Sequence, residues 1–282
     1  INMKSVFKKI SVLAIAAFVA MAATAQVKPG VETLRDGGFE QLKGKRVGLI
    51  TNPSGVDNNL VSTIDILANA PGVELKALYS PEHGVRGDIP AGEKVDTYTD
   101  AATGVTVYSL YGKNKKPSAE MLKDVDVLVY DIQDNGCRSF TFISTMGLCM
   151  EACAENGKEF MVLDRPNPLS GLKVEGNLVE EGFYSLVSQF EIPYLYGLTP
   201  GELALMLNDG MLKDGKKTKL TVVPMQGWHR YMTFDQTGMP WILPSPHQPY
   251  PQSAIYYPTT GIIGELYFVS IGVGYTMPFQ LI

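Results

Sequence analysis

The chain has 282 residues, 45% hydrophobic and 19% charged, with a net charge of −5 and a mean hydropathy of +0.02. These values describe a folded globular protein and exclude a disordered or collagen-like chain. There is no basic run to serve as a nucleic-acid footprint, and three cysteines are too few for a disulfide framework.

Residues 1–25 read as a signal peptide. Lys4, Lys8 and Lys9 make a positive leader, Ile10 to Ala23 is a nearly unbroken apolar run, and Ala23-Thr24-Ala25 is a small-residue cleavage signal. Cleavage would leave 21 basic and 29 acidic side chains, a net −8. The expectation is an exported protein, periplasmic or secreted, with no stable membrane anchor once the leader is removed.

Strand and helix then alternate. Lys45 to Asn52 reads as a first buried strand, followed by a Pro-Ser-Gly turn and a helix over Asn59 to Asn69 that carries Leu60, Ile64 and Leu67. Further strands are read at Val73–Tyr79, Val105–Leu110, Val125–Tyr130 and Glu159–Leu163. Ser118 caps a short helix, and a longer helix over Phe142–Asn156 ends at Gly157. Cys149 and Cys153, four apart on that helix, and Cys137 read as small buried apolar residues. Short apolar strands separated by helices specify an α/β fold, a Rossmann-like parallel sheet with helices on both faces.

The remainder is less regular. Thr199-Pro200-Gly201-Glu202 opens a helix with Leu203, Met206 and Leu207 as its apolar stripe. Lys219 to Pro224 is a strand. The proline-dense stretch 238–260 reads as a loop ordered by Trp241, Tyr250, Tyr256 and Tyr257, and Glu265 to Val273 as strand-like. The apolar end, Pro278 to Ile282, suggests a fragment. The expected division is a leader at 1–25, a Rossmann-like catalytic domain at 26–185, and at 186–282 the rest of the α/β domain with the start of an incomplete C-terminal domain.

In an open parallel sheet, ligands bind beyond the carboxyl ends of the strands. The residues following the strands are Asn52 and Ser54; Glu82, His83 and Arg86; Tyr111; Asp131, Gln133, Asp134 and Arg138; Asp164, Arg165 and Asn167. Turn chemistry accounts for any single Asp or Asn among them, but turns do not require arginine or a Glu-His pair. Three of the six arginines fall on this edge, which points to an anionic group on the ligand. Phosphate-loop, dinucleotide and nucleophile-elbow motifs are absent. The histidines lack paired spacing for zinc, so neither a metal nor a cofactor is expected. Carboxylate chemistry remains. Glu82, on a tight Pro-Glu-His-Gly turn, is the general-acid candidate. Asp131 and Asp134 are placed to complete a glycosidase-type pair.

The motifs G-L-I-T-N-P-S-G-V-D (48–57), S-P-E-H-G-V-R-G-D (80–88), V-L-V-Y-D-I-Q-D-N-G-C-R (127–138), V-L-D-R-P-N-P-L-S-G (162–171) and V-E-G-N (174–177) resemble a bacterial family of exo-acting β-N-acetylmuramidases of peptidoglycan recycling, long catalogued as a domain of unknown function. The stretch G-V-G-Y-T-M-P-F-Q (272–280) is similar too, and the family normally continues beyond it. The resemblance implies a Rossmann-like domain plus a smaller α+β C-terminal domain, with the active site in the cleft between them. It implies as substrate a peptidoglycan-derived muramyl saccharide, with a non-reducing N-acetylmuramic acid β-1,4-linked to N-acetylglucosamine. The lactyl carboxylate of that sugar would explain arginines at the cleft. The match carries over Glu82, His83, Arg86, Asp131, Gln133, Arg138, Asp164, Arg165 and Glu175 as motif positions without assigning each a role. Glu82, Asp131 and His83 form the expected catalytic group. Asp131 would act as base or nucleophile, or an Asp would orient the substrate's own acetamido group. For Glu265 two readings stay open, a carboxylate that reaches the cleft and a plain loop carboxylate. Two other classes stay open: a periplasmic sugar- or muropeptide-binding protein without catalysis, and an amidase acting on the lactyl-peptide junction.

Overall fold

The structure, a computed structural model, describes residues 26–82, 84–87, 97–112 and 114–282. The expected leader and His83 lie outside the described residues. Seven strands form one sheet: β1 (Arg46–Thr51), β2 (Glu74–Ser80), β3 (Tyr98–Thr99), β4 (Thr106–Ser109), β5 (Val127–Asp131), β6 (Glu159–Leu163) and β7 (Lys219–Val223). Their order is β3-β4-β2-β1-β5-β6-β7. Every neighbouring pair is parallel except the edge pair β3–β4. The chain winds outward from β1 through β2 to β4, then returns to lay β5 on the other side of β1. The topological switch point, where such folds open a ligand crevice, therefore lies between β1 and β5.

Both faces of the sheet are covered, which is why its strands read as continuous apolar runs. Val47 and Leu49 of β1, with Val127 and Val129 of β5, pack beneath α1 (Gly30–Asp36) and α2 (Thr63–Ala68). Ile50, Leu128 and Tyr130 point the other way, against α4 (Phe142–Asn156) and α5 (Pro200–Met206). The short α3 (Ala119–Leu122) is capped by Ser118. Helix α4 ends at Gly157 in the left-handed conformation (φ 63°), where glycine carries no steric penalty. At Gly147 the same helix lies against Phe190 so closely that a Cβ would overlap the ring. Helix α5 has the full capping box, with Thr199 and Glu202 satisfying each other's backbone and Pro200 in the first turn. The three cysteines are buried and free.

Three local expectations are corrected. The helix expected from Asn59 starts only at Thr63, capped by Ser62. Asp57 accepts backbone bonds from Asn59 and Val61, and Leu60 takes φ 66° and is exposed, so an aspartate-stabilised turn has displaced the first helical turn. The proline-dense stretch is not loop throughout, because α6 (Ser253–Gly264) begins after Pro251 and tolerates Pro258 in its interior. Tyr257 packs edge-on against Phe140 and Phe279, and that tertiary packing outweighs the one backbone bond proline forfeits. Residues 265–273 contain no strand; they form turns after α6. No helix among the described residues is long and apolar enough to cross a membrane.

Candidate active site

Among the described residues, side chains bridge the ends of β1 and β5 at the switch point. Thr51 Oγ1 donates to the Asp131 carbonyl (2.8 Å), and Ser54 Oγ accepts from the Gln133 amide (2.9 Å). Arg165, arriving from the end of β6, places Nε 2.5 Å from Asp131 Oδ1 and Nη2 3.0 Å from Oδ2, while Thr63 Oγ1 donates to Oδ2 at 2.5 Å. Asp131 is fully buried. A carboxylate with both oxygens engaged and no route to solvent is not placed to act on substrate as base or nucleophile. Asp131 and Arg165 are a structural pair.

The other acids after the strands are committed in the same way. Asp164 accepts from the Gly201 amide (2.8 Å), Thr199 Oγ1 (2.9 Å) and the Arg165 amide (3.0 Å), anchoring the start of α5. Burial pushes its pKa up to about 6 against those bonds. Asp134 accepts from the Tyr196 hydroxyl and the Gly136 amide, and burial likewise raises it to about 6. Asn52 reaches the Pro244 carbonyl and accepts from Ser54. Gln133 bridges the Asp134 and Pro166 carbonyls, and Asn167 binds the Leu198 carbonyl. All five are buried and serve the edge as scaffold.

The arginine expectation fails for Arg86 as it does for Arg165. Arg86 is paired with Asp100 through Nε (2.6 Å) and Nη2 (3.0 Å), and with Asp65 at 3.0 Å. Those bonds push its pKa upward and hold Asp100 down at about 2. Its charge is spent inside the protein. Glu175 is exposed and pairs with Lys173 at 3.2 Å, lining a separate surface hollow with Leu169 and Ser170.

Among the described residues, a cavity of about 380 Å³ opens to solvent, displaced from the switch point toward α4 and α6. Glu82, from the turn after β2, and Glu265, at the C-terminal end of α6, both line it. Tyr111, from the end of β4, is hydrogen-bonded to Glu82; burial first, and the negative charge of Glu82 second, push its hydroxyl pKa above the ordinary value. Ser139, at the entry to α4, sits 3.3 Å from the hydroxyls of both Tyr194 and Tyr257. Burial also raises both of those tyrosines, so they remain neutral donors near neutral pH. His247 and Ser245 complete the polar lining, with Phe140 and Phe279 as apolar walls. A pair of carboxylates, neutral hydroxyls and aromatic faces is a surface for a sugar.

The sequence points to Glu82, to its partner Tyr111 and to Glu265, but not to Ser139, Tyr194, His247 or Tyr257 as lining residues. Tyr257 lies in a stretch dense in tyrosine and proline (250–258), the one signal it carries, and Tyr194 lies outside it. Among the described residues, no group of three His, Cys, Asp or Glu side chains is disposed to hold a metal.

A family model described as exo-β-N-acetylmuramidase NamZ, N-terminal, matches residues 47–252. The chain is 52% identical over 257 residues to the peptidoglycan β-N-acetylmuramidase NamZ of Bacillus subtilis (strain 168); the match takes in 91% of this chain and 61% of that protein. Two solved structures of DUF1343 family proteins from Bacteroides fragilis NCTC 9343 resemble it closely. One has a TM-score of 0.86 at 65% identity, covering 90% of this chain and 64% of that one. The other has a TM-score of 0.79 at 34% identity, covering 91% and 66%. The chain thus spans less than two thirds of the length of these relatives. On sequence and fold together, it belongs to the NamZ exo-β-N-acetylmuramidase family.

Proposed function

We propose that this chain carries the bond-cleaving cavity of an exo-acting glycoside hydrolase that releases N-acetylmuramic acid from the non-reducing end of peptidoglycan fragments, outside the cytoplasm. The observation that carries the reading is the shared cavity of Glu82 and Glu265, set among neutral hydroxyls and aromatic rings. Hydrolysis of a glycosidic bond uses one carboxyl group to protonate the leaving oxygen and a second group to supply or steer the nucleophile. Glu82 takes the first role, oriented by the Tyr111 hydroxyl bonded to it. Glu265 takes the second, acting on water or on the substrate's acetamido group. Ser139, Tyr194 and Tyr257 offer neutral hydrogen bonds to sugar hydroxyls, and Phe140 offers an apolar face to the ring. The motif pattern of residues 1–25 supports export, which places the enzyme where peptidoglycan fragments are found.

The test is turnover of N-acetylmuramyl-β-1,4-N-acetylglucosamine and of a nitrophenyl muramide, by wild type and by Glu82→Gln. Wild type is expected to cleave both. Glu82→Gln is expected to retain binding and to lose about 10²–10⁴-fold in rate on the disaccharide. The loss on the nitrophenyl substrate should be smaller, because that leaving group needs little protonation. Binding of muramyl saccharides without turnover by wild type would make this a binding protein, and release of free peptide from a muropeptide would make it an amidase.

A further inference from the structure

Arg138 is only 8% exposed, yet no carboxylate among the described residues pairs with it. Its Nη1 donates to the backbone carbonyls of Asn177 (2.7 Å) and Ile192 (2.5 Å), which fixes the side chain in place. Neither Nε nor Nη2 has a hydrogen-bond partner among the described residues. Desolvation lowers the guanidinium pKa below its ordinary value. A buried cation without a counter-ion is costly, and arginine's rigid fork matches a planar carboxylate.

The surroundings specify the ligand further. Arg138 lines a cavity of about 300 Å³ with Asn177, Val179, Glu180, Phe183 and Ser188. Phe183 is 73% exposed, an apolar ring presented beside the charge. Glu180 forms no ion pair with Arg138, and its carboxylate disfavours a doubly charged group such as phosphate at a site with one guanidinium. This cavity adjoins the one that holds Glu82. Tyr194 lines the Glu82 cavity, and the Arg138 guanidinium lies 5.7 Å from its ring centroid; Val187 lines one cavity and Ser188 the other.

We infer that the Arg138 cavity is a subsite for a carboxylate carried on a short apolar stem, one wall away from the bond-cleaving cavity. The source of that carboxylate rests on the proposed function. It is either the lactyl acid of a muramic residue or, where that acid is amidated, the terminal acid of the attached peptide.

The full chain would be titrated with N-acetylmuramic acid, its methyl ester, N-acetylglucosamine and D-alanyl-D-alanine. The readout is the Arg138 Nε–H resonance in ¹⁵N–¹H spectra, assigned through its own backbone. A carboxylate ligand is expected to shift that resonance and to bind at least about 10-fold tighter than the ester, the loss expected when a charge-assisted bond is removed. Response to muramic acid alone assigns the lactyl source, and response to the dipeptide alone assigns the peptide source. Arg138→Gln, titrated calorimetrically because it lacks the reporting resonance, should abolish the acid-over-ester preference. Should that variant fail to fold, Ser188→Glu sets a negative charge in the cavity without touching the guanidinium and should block the shift. No shift with either carboxylate, or equal responses to acid and ester, would overturn the inference. Hydrolysis of a nitrophenyl muramide separates the two claims. Turnover without an Arg138 response leaves the proposed function standing and removes the subsite; an Arg138 response without turnover does the reverse.

Discussion

Arg165 closes on Asp131 across the ends of β6 and β5, with both carboxylate oxygens held by its guanidinium at 2.5 and 3.0 Å. Both side chains are buried, at 3% and 0% exposure. Arg165 Nη2 also reaches the Val56 carbonyl at 2.8 Å, so the pair ties the turn after β1 to two further strands. Asp131→Ala would strand a buried guanidinium, and we expect a loss of about 3–5 kcal/mol in stability. Denaturant unfolding checks this. Unchanged stability with a selective fall in kcat would restore Asp131 to a catalytic role.

Arg86 holds Asp100, which is 4% exposed, through two bonds. Arg86→Ala should lower stability by about 1–2 kcal/mol, less than for a fully buried pair because Arg86 is a third exposed. It should affect muramide and glucosaminide substrates equally, since Arg86 does not line the Glu82 cavity. A loss confined to muramides would show that the guanidinium leaves Asp100 to meet substrate.

Stability should depend on two buried acids between pH 4 and 7. Asp134 and Asp164 each have a folded pKa raised from 3.8 to about 6 by burial. Such a group adds stability that is fully present below its unfolded pKa and is lost as pH rises through its folded pKa. Stability is therefore expected to climb as pH falls from about 7 toward 4. Below that it falls again as Asp100, held at about 2 by Arg86, takes up its proton. Asp134→Asn keeps an acceptor for Tyr196 and Gly136 and replaces Oδ1, which has no hydrogen-bond partner among the described residues. It should flatten the upper part of the profile and equal or exceed wild type at pH 8. Melting temperatures across the range test it; a profile unchanged by the substitution would show that Asp134 does not titrate there.

Glu265→Gln should reduce turnover by about 10²–10⁴-fold. Unlike Glu82→Gln, it should do so equally for good and poor leaving groups, because the second carboxylate does not protonate the departing oxygen. Near-normal turnover would leave Glu82 as the one catalytic carboxylate of this cavity. Glu265 is exposed and outside the core, so folding should be unaffected.

Local signals in the sequence determined the sheet. Five apolar runs from Val47 to Leu163, each bounded by turn residues, could be buried on both faces only by helices above and below. Thr199, Pro200 and Glu202 specified the start of α5 through capping chemistry that needs no distant partner. The sequence also determined that polar residues gather at the carboxyl edge, because each follows a parallel strand. It could not determine which of them face solvent. A carboxylate becomes scaffold or reagent according to what lies within about 3 Å of it, and those neighbours are remote in the chain: Arg165 for Asp131, Thr199 for Asp164, Tyr196 for Asp134. Once these pairs formed, the edge at the switch point was consumed. Only tertiary packing could bring Glu82, Ser139, Tyr194 and Glu265 around one cavity. It also placed Arg138 beside that cavity with no counter-ion among the described residues, because side-chain pairing is settled by proximity in space, whereas strand formation is settled by the local alternation of apolar and turn residues.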